Sequence, residues 1–226
     1  MYESKILKLK DMTVFTLSDV SQIVSGKEYA KKLLKKLTSS GELKRIKKNV
    51  YTFHDDPLLI STFLVKPSYI SSVSALSYHK LITQMPKDVF CLTTKKEAKI
   101  KIKNLASEIY FIHTNYFFGF KEENYLGFKI LIATPEKAII DSIGNVPISV
   151  FEEAIENINI NTMEDYLLKT AKSSLTKRIG YLLEKNGFKL NKKIKNKINN
   201  KYLYLDPLAK KFGIKNKEWK IIVNTK

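Results

Sequence analysis

Residues 18–53, SDVSQIVSGKEYAKKLLKKLTSSGELKRIKKNVYTF, decide how the N-terminal part of this chain folds. Ser18 reads as an N-cap for a helix over 19–24, because Val20, Ile23 and Val24 fall on one face behind it. Ser25-Gly26 breaks that helix, and Gly26 suits the tight corner between two helices. A second helix is predicted from Lys27 to about Ser39, since Ala30, Leu33, Leu34 and Leu37 recur at i, i+3, i+4, i+7. Lys27, Lys31, Lys32, Lys35 and Lys36 occupy the rest of its surface, and Gly41 stops it. Two strands are predicted at 42–45 and 50–53, with Lys47-Lys48-Asn49 as the turn.

Upstream, residues 2–12 fit a short helix with Ile6, Leu7 and Leu9 partly buried, and Val14-Phe15-Thr16 is short and β-rich. The order strand, helix, turn, helix, hairpin is that of a winged helix–turn–helix. In such a motif the second helix of the pair enters the major groove and the hairpin reaches flanking phosphates. Ser25, Lys27, Glu28 and Tyr29 at the start of that helix would approach base edges, with Lys31, Lys32 and Lys35 behind them. Lys44, Arg45, Lys47, Lys48 and Asn49 would form the wing contact. With one arginine among so many lysines, the expected binding is strongly salt-dependent and poor in bidentate guanine contacts. Winged helices also serve as protein-interaction modules, and a lysine-rich face can be merely solvated.

The charge distribution supports the nucleic-acid reading. The chain has 226 residues and a formal net charge of +18. Residues 1–53 carry a net +7, residues 54–168 a net −3 and residues 169–226 a net +14. Nine basic residues and two acids fall between Ser25 and Lys48. A basic start and end around a near-neutral middle points to a polyanionic partner rather than to uniform composition.

Beyond Pro57 the pattern changes to a larger mixed domain, so the expectation is an α+β chain with a winged helix at 1–55 and a second domain at 56–226. Helices are predicted at 58–65, 68–82, 148–158, 163–171 and 175–185, and a helix start at Thr134-Pro135-Glu136. Strands are predicted at 89–93, 100–102, 108–113 and 128–133, with a closing pair at 202–205 and 219–223. Residues 191–201, rich in lysine and asparagine, fit either a helix or a mobile basic loop. Glu152, Glu153 and Glu156 form an acidic stretch that could face a partner or pair with the basic C-terminal region.

Several chemistries are disfavoured. His54, His79 and His113 lie far apart, the one cysteine is Cys91, and neither a phosphate loop nor a nucleophile elbow is present. Cys91 sits among apolar residues and reads as inert core. Asp88 with Glu97-Ala98-Lys99 loosely imitates a metal-dependent nuclease, but an E-x-K triplet recurs at Glu218-Trp219-Lys220 in so lysine-rich a chain. No apolar run approaches a membrane span, and residues 1–20 lack a signal-peptide core. A cytoplasmic protein without cofactor, metal or membrane partner is the expectation.

Three further segments carry a resemblance. Residues 41–51, GELKRIKKNVY, residues 66–76, KPSYISSVSAL, and residues 134–141, TPEKAIID, together with Asn216-Lys217-Glu218-Trp219 and Asn224, resemble the abortive-infection AbiEi antitoxin family of type IV toxin–antitoxin systems. Asn49 stands where that family commonly has glycine, and asparagine tolerates the same left-handed backbone. The resemblance implies a non-enzymatic autorepressor that binds inverted repeats in its own promoter. It also implies a C-terminal domain that counteracts a nucleotidyltransferase-type toxin without needing a stable complex. The alternatives are a stand-alone winged-helix transcriptional regulator without a toxin and, more remotely, a metal-dependent nuclease.

Overall fold

The computed structural model describes residues 7–96, 98–101 and 107–225. It is a mixed α+β protein that divides into two compact units. The first comprises Met1–Ser68, Lys87–His113 and Glu122–Ile130, and the second Tyr69–Pro86, Thr114–Lys121 and Leu131–Lys226.

The first unit opens with a helical turn at residues 7–10, where Leu9 is buried and Leu7 exposed. Of the expected first helix at 2–12, residues 2–6, including Ile6, lie outside the described residues, and Asp11 is already in a turn and Met12 in a bend. Helix α1 spans Leu17–Val24. Its N-cap is Thr16 rather than Ser18: Thr16 Oγ1 accepts from Asp19 N, and Asp19 Oδ2 accepts from Thr16 N at 2.7 Å. This reciprocal pair satisfies two otherwise orphaned donors, which Ser18, already inside the helix two residues later, could not do. Ser25 takes the left-handed turn at φ 60°, while Gly26 is extended at φ 160°, so the corner falls one residue earlier than expected.

Helix α2 spans Lys27–Ser39. Up to Leu37 it is built of alanine, leucine, lysine, glutamate and one tyrosine, mostly strong helix formers. Ala30, Leu33, Leu34 and Leu37 are buried with Phe15, Val20, Val24 and Leu43, and this core anchors the helix. Each buried leucine contributes about 1.5–3 kcal/mol relative to exposure. Ser40 caps the C-terminus and Gly41 follows at φ 79°. Strands β1 (Lys44–Lys47) and β2 (Val50–Thr52) pair antiparallel, with an irregularity between Arg45 and Lys47 that turns Ile46 into the core. Phe15 joins them through a reciprocal backbone pair with Tyr51, at 3.0 and 2.9 Å.

Asp56 caps the next helix, Pro57–Leu64. Strand Glu108–His113 then pairs parallel with Val89–Thr93 and antiparallel with Ala98–Lys101. Cys91 is fully buried on this sheet, and burial pushes its thiol up to about 12.

In the second unit the expected helix at 68–82 is instead a strand, Ser68–Ile70, followed by a helix at Ser72–Tyr78. Ser71 is extended at φ −151°, and Ile70 pairs parallel with Ile132. Buried on both faces, that strand lacks the polar alternation that would have distinguished it from a helix. The expected helix at 148–158 is two 3-10 turns, Ile148–Val150 and Glu152–Asn157. Its buried Ile148, Phe151 and Ala154 recur every third residue, the period of the tighter helix.

Helices Pro135–Ser142, Ile160–Thr170 and Ser173–Lys185 follow the predicted segments closely. Gly180 lies against the Trp219 indole, which a β-carbon would strike. The C-terminal sheet has Ile221–Val223 at its centre, parallel to Leu203–Tyr204 and antiparallel to Ile214–Asn216, a strand the sequence pattern did not announce. Among the described residues no helix is long and apolar enough to cross a membrane.

Candidate nucleic-acid interface

The basic residues of the N-terminal segment share one physical arrangement. The leucine side of α2 is buried, so Lys27, Lys31, Lys32, Lys35 and Lys36 are exposed on its remaining faces. Ser25 and Tyr29 are exposed at its start, Tyr29 to 51%. Glu28 holds Lys31 at 2.7 Å, and that cation keeps the Glu28 carboxyl below the usual carboxylate range. An exposed pair of this kind contributes little stability and readily exchanges for another anion.

The cations of the hairpin fall into two groups by their partners. Arg45 and Lys48 are exposed. Lys44 pairs with Asp55, and Lys47 donates to Leu64 O at 2.8 Å, so both already have partners inside the unit. Asn49 has a structural task as well. It takes φ 61° in the hairpin turn, and its Oδ1 accepts from Leu17 N at 3.0 Å, tying the turn to the start of α1.

Lys31, Lys35 and Arg45 line a single cleft of about 270 Å³ between α2 and the hairpin. Leu34 and Tyr51 form its apolar part, with Leu17, Thr38 and Ser39 at the rim, and no carboxylate lines it. Three cations from two elements facing one concavity raise the local positive potential beyond what each would produce alone. Tyr51 belongs to this cleft and was not among the expected contacts; its alternation with Val50 and Thr52 in the strand was the available signal.

The second unit holds a different polar cluster, drawn from two of the segments that carry the resemblance. Asp141 Oδ2 accepts from Tyr69 OH at 3.0 Å and from Ser71 Oγ at 2.7 Å, while Lys137 Nζ pairs with Oδ1. Lys137 also donates to Tyr69 OH at 2.8 Å. The Tyr69 ring stacks on Phe120, with centroids 4.6 Å apart, and meets Phe117 edge-on. Burial pushes the Asp141 carboxyl up and the Lys137 ammonium down, and each charge partly restores the other. Burial and the Asp141 charge keep the Tyr69 hydroxyl protonated. Each of the four side chains in this cluster has a hydrogen-bond partner within it, and a satisfied buried network of this kind rigidifies the surrounding core.

The acidic stretch is partly used internally: Glu152 pairs with Lys185 at 2.6 Å, and Glu153 accepts from Thr83 N at 2.5 Å. The basic segment is also anchored. Lys195 bridges Glu184 and Glu218, and the buried Lys177 donates to Asn199 Oδ1 and Lys201 O.

Of the nuclease-like triplet, Glu97 lies outside the described residues. Lys99 pairs with Glu108 at 2.5 Å, and Asp88 Oδ1 accepts from Glu108 N at 2.9 Å. Among the described residues no group of three histidine, cysteine or acidic side chains is placed to hold a metal ion. No protein-family model matches the chain, and no curated protein matches it.

Proposed function

We propose that the chain is a DNA-binding transcriptional autorepressor whose residues 1–55 act as a winged helix–turn–helix. The observation that carries this reading is the cleft shared by Lys31, Lys35 and Arg45 beside an α2 whose opposite side is fully buried. In this reading α2 lies in the major groove. Ser25, Lys27 and Tyr29 approach base edges, while Lys31, Lys32, Lys35, Arg45 and Lys48 neutralise phosphates. Phosphate contacts set affinity and register, and the few side chains at the start of α2 set sequence preference.

The resemblance to the AbiEi family extends the proposal to an antitoxin that counteracts a nucleotidyltransferase-type toxin through its second unit. That two of the resembling segments meet at Tyr69, Ser71, Lys137 and Asp141 supports treating them as parts of one domain.

Both halves are tested together by co-expressing the full chain with the gene beside its own and measuring growth and promoter occupancy. Rescue by wild-type protein, retained in a Lys31→Glu/Lys32→Glu variant that no longer occupies the promoter, separates antitoxin work from DNA binding and favours residues 56–226 as its seat. Promoter occupancy without rescue indicates a stand-alone regulator. Absence of both removes the proposal.

A further inference from the structure

The C-terminal sheet ends in an exposed edge strand. Its order places Ile214–Asn216 at one margin, with Ile221–Val223 on its inner side and, among the described residues, no strand paired on its outer side. A terminal strand presents unpaired N–H and C=O groups along its outer side, a template for another strand. Apolar side chains crowd the approach to it: Leu208 is 52% exposed, Phe212 67% and Ile214 81%. They are held out rather than adrift. Tyr204 OH donates to Lys211 O and Asn224 Nδ2 to Lys210 O, each at 3.0 Å, which pins the loop leading into the strand. Gly213 follows at φ +156°, where a β-carbon would run into Val223 O, so the strand's close approach to its neighbour depends on that glycine.

The lysines around this edge guard it against another basic strand and so select its occupant. Lys210, Lys211, Lys215 and Lys217 are all exposed within eight residues that contain no acid. A second copy pairing edge to edge would bring these lysines against one another, and edge lysines are a recognised barrier to self-association. The same lysines attract a strand whose outward side chains are acidic. A nucleic acid would satisfy the lysines but not the row of backbone donors and acceptors along the strand.

We propose that strand Ile214–Asn216 is a docking edge for an extended, acidic segment of a partner protein, which adds alongside it as a fourth strand. Backbone hydrogen bonds supply register, Phe212 and Ile214 receive the partner's apolar side chains, and the lysines supply sign selectivity. This surface is independent of the α2 cleft and does not rest on the DNA-binding reading.

The test is fluorescence anisotropy of the full chain with a short labelled peptide of alternating valine and glutamate. Saturable binding is expected, lost when a central valine is replaced by proline and when lysine replaces glutamate. Ile214→Ser and Lys215→Glu/Lys217→Glu variants should each weaken it about tenfold while leaving promoter binding unchanged. The proline peptide leaves the protein unaltered, so it reads backbone pairing even where a variant folds poorly. No binding, equal binding of the proline peptide, or unchanged affinity in both variants overturns the proposal. Displacement of the peptide by an oligothymidylate that itself binds more tightly overturns it in favour of a nucleic-acid face.

Discussion

Lys137 and Asp141, one helical turn apart on the helix Pro135–Ser142, form an ion pair buried beneath Tyr69 and Phe118. Side chains at i and i+4 face one another on a helix, and here that shared face points into the protein. A charge pair out of water is costly to form but more costly to halve. Lys137→Met or Asp141→Asn alone is therefore expected to lower stability by about 3–5 kcal/mol, because each leaves an unmatched buried polar group. The double variant Lys137→Met/Asp141→Leu should lose far less than the sum of the two. Urea unfolding of the three variants checks this.

The pair also predicts a pH dependence. Burial raises the Asp141 carboxyl, and Lys137 is the largest influence restraining that rise. In Lys137→Met the restraint is gone and the folded value climbs further. A carboxyl whose folded value is raised contributes stability that is complete below its unfolded value and is lost as pH rises through the folded value. The penalty of Lys137→Met should shrink when unfolding is measured at about pH 5 instead of about pH 8. A penalty that grows on acidification contradicts this assignment.

Thr16 anchors α1 through its reciprocal bonds with Asp19. Thr16→Ala removes the acceptor for Asp19 N and is expected to cost about 1 kcal/mol in thermal or urea unfolding, whereas Ser18→Ala should have a smaller effect.

Gly180 lies mid-helix, where alanine would ordinarily stabilise by up to about 1 kcal/mol. The Trp219 indole occupies the space its methyl group would need. Displacing the buried ring costs about 1–3 kcal/mol, so Gly180→Ala should destabilise. Trp219 is the chain's one tryptophan, and its emission should shift in the same variant.

The legible part of the sequence was the part where one face is buried and the other is wet. Helix α2 matches its predicted span because Ala30, Leu33, Leu34 and Leu37 mark the helical period against lysines. Thr134-Pro135 marked its helix start for similar local reasons. Strand Ser68–Ile70 was illegible because it is buried throughout, and strand Phe120–Tyr125 because its four central residues are all polar and show no apolar alternation. At the candidate site, local sequence pointed to the exposed cations. It did not reveal that Lys44 and Lys47 are held by Asp55 and Leu64 O, since those partners lie 11 and 17 residues away. Nothing local announced the burial of Lys137 and Asp141, because a charge pair buries only when partners from another part of the chain, here Tyr69 and Ser71, meet it.

The central claim is that the lysines of α2 neutralise DNA phosphates. Its most direct test is the salt dependence of binding to the protein's own promoter DNA, measured for the wild-type chain and for Lys31→Glu/Lys32→Glu. Each lost phosphate contact lowers the slope of log affinity against log salt by about one, so the variant's slope should be shallower by about two and its low-salt affinity weaker. Identical slopes and affinities for the two proteins would contradict the account.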